Sequence, residues 1–212
     1  MDDLELGTKA QPRRVAIPVA LLAALWLAML TLGAGAVDGL VLAAMYASDQ
    51  PLIASIAAGF TVLGDAPVLI LVSVAAAAWL LWKGKPRYGL AVISVTMIGR
   101  GLVQVQKYGI GRFRPEDHAH LVPVNNPSFP SGHSASSMIV YLTIAIMLTV
   151  GTRWTRPVVA AAAALSIMIG LSRMILGVHW PSDVVGGWSF GLLWVLVALP
   201  MAERLASPGL RR

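Results

Sequence analysis

Ser172 to Pro200 reads SRMILGVHWPSDVVGGWSFGLLWVLVALP. From Val184 onward it is an unbroken run of apolar and small residues. With its flanks, that run reaches the about 20 residues needed to cross about 30 Å of hydrocarbon at about 1.5 Å per residue. The first half sets Arg173, His179 and Asp183 against it. Pro181 with Asp183 just behind marks a helix start, because proline has no N–H to lose there and a carboxylate suits the positive end of the dipole. His179 therefore sits on the loop before a span, within reach of Asp183. A carboxylate accepting from one imidazole nitrogen fixes the tautomer and leaves a lone pair on the other, the arrangement of an activated nucleophile or base.

Reading outward, five more apolar runs are long enough to span, at roughly 15–34, 66–83, 88–107, 134–151 and 157–173, and the stretch above supplies the sixth at 183–202. The segment 36–63, interrupted by Pro51 and small residues, reads as one or two interfacial helices. The expectation is an all-α, polytopic membrane helix bundle of six transmembrane helices. It forms one membrane-embedded domain over 1–212, with tails at 1–14 and 203–212 and a motif-bearing core at about 100–190. Composition agrees: 57% of the 212 residues are hydrophobic, only 12% are charged, and the mean hydropathy is +0.74, whereas about a quarter of a soluble domain is charged. Cysteine is absent, which excludes disulfides, thiolate chemistry and Cys-bound zinc. The net charge of +6 does not indicate nucleic acid, since the cations lie in short clusters between apolar runs and form no stripe with interleaved aromatics.

Those clusters set the orientation. Short cytoplasmic loops are enriched in Lys and Arg. Lys9, Arg13, Arg14, Lys83, Lys85, Arg87, Arg153, Arg156, Arg204, Arg211 and Arg212, eleven of the 16 basic residues, fall on one side together with both termini. That side is expected to be the cytoplasm, in a bacterial inner membrane. The other five, Arg100, Lys107, Arg112, Arg114 and Arg173, lie in or beside the motifs, and all four histidines fall on the outer side with them. The basic amino end followed by an apolar run and Ala34-Gly35-Ala36 imitates a secretory signal. The run is longer than the usual 7–15 residues, so an uncleaved first span is expected.

Two further stretches carry chemistry: Lys107 to Pro115, KYGIGRFRP, and Pro130 to His133, PSGH. A charge at the bilayer centre costs at least about 2.5 kcal/mol when uncompensated, so cations placed here mark a functional site. Ser131, Gly132 and His133 open the fourth span. Unpaired N–H groups at a helix start, with a glycine permitting close approach, make an anion site. His133 at the same mouth can donate a proton to a leaving oxygen. Lys107, Arg114 and Arg173 supply fixed positive charge for the equatorial oxygens of a phosphoryl group in flight.

The three stretches resemble the signatures of the type 2 phosphatidic acid phosphatase superfamily, or lipid phosphate phosphatases, which share their site with vanadium haloperoxidases. Lys107 with Arg114-Pro115 meets the first signature, Pro130 to His133 the second, and Ser172-Arg173, His179 and Asp183 the third. The resemblance implies a six-span layout with an outward-facing site, and a lipid phosphate phosphatase that needs no metal or other cofactor. In it His179 is the nucleophile, Asp183 its orienter and His133 the acid, while Lys107, Arg114, Ser131, Gly132 and Arg173 hold phosphate. Undecaprenyl diphosphate is the substrate expected first. Phosphatidylglycerol phosphate, phosphatidate and lipid A are alternatives, as is transfer of the phosphoryl group to an acceptor other than water. A haloperoxidase would use the same residues around vanadate, but those enzymes are soluble. A non-catalytic phospholipid binder or transporter would not need His179, His133 and Asp183 together.

Other residues carry weaker signals. His118 and His120 beside Glu116 and Asp117 form a short HxH pattern that fits a solvated loop better than a metal site. Arg112 is evenly balanced between a substrate head-group contact and a solvated loop residue. Arg100, Gln104 and Lys107 share a helical face by spacing, and Asp65 is the partner expected for Arg100. Trp82, Trp154 and Trp180 read as interfacial anchors.

Overall fold

The computed structural model describes residues 12–206, and helices are the regular elements within them. They run α1 (Pro12–Leu32), α2 (Ala36–Met45), α3 (Pro51–Val62), α4 (Ala66–Trp82), α5 (Pro86–Ile110), α6 (Gly132–Thr149), α7 (Thr155–Ile175) and α8 (Pro181–Ala206). The tail cations Lys9, Arg13, Arg14, Arg204, Arg211 and Arg212 lie outside the described residues and side chains.

Proline sets several starts, standing in the first turn of α3, α4 and α5 and opening α8, where a missing N–H leaves no bond unmade. α5 ends on Gly111, whose left-handed φ of 67° lets its N–H return to the Lys107 carbonyl at 2.9 Å. That turn releases the chain into the 111–131 loop directly above Lys107.

By length and apolarity α1, α5, α6, α7 and α8 can each cross a membrane, and α3 with α4, bent by 45° at a short break, is long and apolar enough as a pair for a sixth crossing. The chain is an integral membrane protein. The 36–63 segment forms two helices, α2 and α3, and α3 continues into the fourth helix across a short break. α6 is the central element, packed against α4, α5, α7 and α8, while α1 lies outside against α8. Close approach of α6 to α8 depends on small residues, since no apolar solvent effect pulls helices together in lipid. A Cβ on Gly187 would stand 2.8 Å from the Ser131 carbonyl oxygen, and one on Gly191 would stand 2.8 Å from that of Ala135. Leu21, Leu71, Leu90, Ile98 and Val105 point outward as a lipid-facing surface.

Candidate active site

The ends of α5 and α7 and the starts of α6 and α8 meet at one end of the bundle around a cavity of about 300 Å³. Lys107, Arg114, Gly132, His133, Arg173 and His179 line it.

His179 is 1% exposed and sits between α7 and α8, as the Pro181 start requires. Its Nδ1 lies 3.3 Å from Asp183 Oδ2 and 3.2 Å from Ser128 Oγ. The Ser128 hydroxyl donates to the same Asp183 oxygen, so the Nδ1 proton faces two acceptors and Nε2 keeps its lone pair. Nε2 is 3.2 Å from Arg114 Nη1. Burial first, then the charges of Arg114, Lys107 and Arg173, hold the His179 imidazole well below its ordinary pKa. It is neutral at physiological pH, as a nucleophile needs to be.

Asp183 is fully buried and accepts from four groups: Ser128, His179, the Trp180 N–H at 3.0 Å and Arg112 Nη1 at 2.9 Å. Four donors fix both carboxylate oxygens, so the aspartate acts as a positioned acceptor for His179.

Three cations share the cavity with His179. Lys107, 2% exposed in the last turn of α5, donates to the Pro127 carbonyl at 2.5 Å. Arg114 donates through Nε and Nη2 to Asn126 at 2.8 and 2.7 Å, and through Nη1 to the Val178 carbonyl. Burial lowers its pKa to about 10, so it is charged throughout the physiological range. Arg173, 4% exposed at the end of α7, donates to Thr61 Oγ1 of α3, and its Nε is buried without a partner. At the start of α6 the Ser131 N–H donates to the Asp183 carbonyl at 2.9 Å, and the Ser134 N–H turns to the Ser131 hydroxyl at 3.5 Å. The first-turn N–H groups left for an anion are those of Gly132 and His133. A Cβ on Gly132 would stand 3.2 Å from Lys107 Cε, so glycine keeps this approach open.

Ser131 caps α6 behind Gly132, fully buried, its hydroxyl accepting from the Ser134 N–H. Two expectations change. Arg112 points away from the cavity, toward α1 and α8. It donates to Asp183, to Ser182 Oγ at 3.0 Å and to the Met29 and Leu30 carbonyls at 2.9 and 2.6 Å, with its guanidinium 4.3 Å from the centre of the Phe129 ring. These contacts occupy the group and leave it no reach toward a head group. Asp65 does not pair with Arg100. It meets His133 Nε2 at 2.9 Å across the α4–α6 contact.

His118 stacks on Tyr46 with ring centres 4.7 Å apart, and His120 Nε2 lies 2.8 Å from the Pro115 carbonyl. No group of three or more His, Cys, Asp or Glu side chains suited to a metal occurs among the described residues. Trp180 ties its loop to the Phe113 carbonyl through Nε1 at 3.1 Å, while Trp82 and Trp154 are exposed.

The sequence reading missed Ser128, Asn126 and Asp38. Ser128 carried a signal, because it stands in a second Pro-Ser just ahead of Pro130-Ser131. Buried Asp38 of α2 accepts from the Ser182 N–H at 3.0 Å, the Ser182 hydroxyl and the Ala34 N–H at 2.6 Å, pinning the start of α8.

Residues 87–206 match the family model of the PAP2 superfamily. The chain is 34% identical to phosphatidylglycerophosphatase B of Bacillus subtilis over 160 residues, which cover 74% of this chain and 78% of that protein. It is 28% identical to undecaprenyl-diphosphatase of Sulfolobus acidocaldarius over 117 residues, 53% of this chain and 54% of that one. The crystal structure of a transmembrane PAP2 type phosphatidylglycerolphosphate phosphatase from Bacillus subtilis superposes with a TM-score of 0.81 at 29% identity, covering 89% of this chain and 97% of that one.

Proposed function

Because the chain belongs to the PAP2 superfamily, we propose that it hydrolyses lipid phosphates through a phosphoenzyme on His179, with fixed cations in place of a metal. The observation that carries this is a buried, neutral imidazole whose Nδ1 is held by Asp183 and Ser128, while Nε2 meets Arg114 in a cavity ringed by Lys107, Arg114 and Arg173.

In the first step Nε2 attacks phosphorus and the bond from phosphorus to the leaving oxygen breaks. Arg114 shifts from Nε2 to an equatorial oxygen, joined by Lys107, Arg173 and the N–H groups of Gly132 and His133. Asp65 accepts from His133 Nε2–H and supports its imidazolium form, whose Nδ1–H faces the leaving oxygen and delivers the proton there, leaving His133 neutral. In the second step the same nitrogen takes a proton from water, water attacks phosphorus, and the P–N bond breaks to regenerate His179 and free phosphate.

The activities of the relatives above and the membrane fold support a lipid carrying a terminal phosphate, with undecaprenyl diphosphate first among the candidates. The chain acts as one domain whose termini face the cytoplasm and whose site faces the outer side of a bacterial inner membrane. The supporting observation is the cluster of loop cations Lys83, Lys85, Arg87, Arg153 and Arg156 at the ends of the spans away from the site. Reporter fusions after Lys85 and Arg156 should read as cytoplasmic and one at Asn125 as external, and the reverse pattern would overturn the orientation.

Phosphate release by purified protein in detergent, with excess EDTA, tests the chemistry. Turnover should persist in EDTA and be inhibited competitively by orthovanadate, which adopts the five-coordinate shape of the transition state with His179 as apical ligand. Loss of activity in the chelator, with indifference to vanadate, would refute the proposal.

A further inference from the structure

α5 carries a second cation that the two steps above do not use. Arg100 lies seven residues before Lys107, two turns along the same face and about 10 Å nearer the middle of the bilayer. It sits near the centre of the 25-residue helix and forms no ion pair or hydrogen bond among the described residues, and its Nη1 is buried without a partner. An unpaired arginine at that depth is costly and marks a site. By contrast Lys107, Arg112, Arg114 and Arg173 each have protein acceptors.

Arg100 lines the cavity that holds His179 and His133, together with Gln104, one turn toward Lys107, and Ser136, one turn into α6 from His133. In-line displacement puts the leaving oxygen opposite the nucleophile, on the His133 side. The leaving group therefore extends past His133, between the α6 face that bears Ser136 and the α5 face that bears Arg100. These side chains offer N–H and O–H donors around one guanidinium, the chemistry of a phosphate site.

We propose that Arg100, with Gln104 and Ser136, forms a second anion subsite for a phosphate carried by the leaving group. The site then selects lipids with two phosphates, one transferred and one retained, over a monophosphate such as phosphatidate. This rests on the phosphatase reading above. When the transferred group passes to His179, the retained phosphate stays on the lipid and paired with Arg100 until that product leaves the site. A lipid diphosphate and phosphatidylglycerol phosphate both meet the requirement and differ only in the spacing of the two phosphates.

The test compares wild type, Arg100→Gln and Arg100→Lys in detergent on undecaprenyl diphosphate, phosphatidylglycerol phosphate and phosphatidate. In Arg100→Gln the ratio of kcat/KM for a two-phosphate lipid to that for phosphatidate should fall about 10- to 100-fold, the loss of one charged hydrogen-bonded contact, and Arg100→Lys should lose less. A fall confined to undecaprenyl diphosphate identifies the retained group as the inner phosphate of a diphosphate. A fall confined to phosphatidylglycerol phosphate identifies it as a glycerol-spaced diester. A ratio that moves less than about threefold, against that expected loss, overturns the subsite. A second arm needs no variant: inorganic pyrophosphate, or glycerol 1,3-bisphosphate if the spacing is the longer one, should inhibit wild-type turnover at least about tenfold more tightly than orthophosphate, and inhibition by both no tighter than by orthophosphate overturns the proposal even if Arg100→Gln does not fold. Wild type that releases phosphate from none of the three lipids refutes the phosphatase reading itself, and with it the subsite.

Discussion

Ser128→Ala isolates the orientation of the nucleophile from the binding of substrate. The hydroxyl is fully buried, donates to Asp183 Oδ2, and places its oxygen 3.2 Å from His179 Nδ1, yet Ser128 is not part of the cavity wall. Deleting it removes one of the four donors to a buried carboxylate and one of the two acceptors for the Nδ1 proton. The His179–Asp183 contact left behind is long, at 3.3 Å. A hydrogen bond to a charged group contributes about 1.5–3 kcal/mol, and about 1.4 kcal/mol is a factor of ten. The expected loss is about 10- to 150-fold in kcat, with KM changing less than about threefold, because the imidazole is misdirected while the phosphate contacts stay. Initial rates of phosphate release across a substrate series, in protein whose elution profile in detergent matches wild type, measure both parameters. A kcat within threefold of wild type, or a loss carried by KM, would show that Asp183 alone orients His179.

His179→Ala should remove at least about 10⁴-fold of activity, and Asp183→Asn should be less severe because it keeps a hydrogen-bonding group while permitting the wrong tautomer. Assays of both in the same detergent check the order, and an equal or greater loss at Asp183 contradicts orientation as its role. Arg112→Met breaks a buried ion pair and should lower stability by about 3–5 kcal/mol in mixed-micelle unfolding. A loss below about 1 kcal/mol, the worth of a surface pair, would make the Arg112 contacts incidental. For pH, the His179 pKa is depressed in the fold. Above the ordinary value of about 6.5 both folded and unfolded chains carry it neutral, and as pH falls below that value only the unfolded chain takes the proton. Stability should therefore decline between about pH 7 and pH 5, and less steeply in His179→Gln; identical slopes would argue against a buried neutral imidazole.

The span pattern and the cavity-lining cations and histidine were legible because both follow local rules. A run of about 20 apolar residues crosses a bilayer wherever it occurs, and Lys107, Arg114, His133 and Arg173 sit at helix ends or loop positions set by nearby glycine and proline. What sequence could not supply is the second layer of contacts. Ser128 reaches Asp183 across 55 residues, His133 reaches Asp65 across 68, and Ser182 reaches Asp38 across 144. Such pairs depend on how the helices pack, which periodicity does not encode. Arg112 illustrates the point: charge and motif position left it balanced between a head-group contact and a solvated loop, while its destination was set by Asp183 and the free carbonyls at the end of α1. Arg100 was correctly placed on the Lys107 face, but its expected carboxylate belongs to His133.

The pinning of Ser182 by Asp38, and of Arg112 by the Met29 and Leu30 carbonyls, bears on how this protein can be taken apart. These anchors lie upstream of residue 87, where the family match begins. The leading helices are therefore a brace for the catalytic loop as well as a membrane anchor. A fragment trimmed to the family boundary would keep the cations and histidines that line the cavity and lose the fixtures that hold the loop bearing His179. Grafting the leading helices of a relative onto this chain would likewise have to bring a carboxylate at position 38 and a helix end that presents its carbonyls to Arg112.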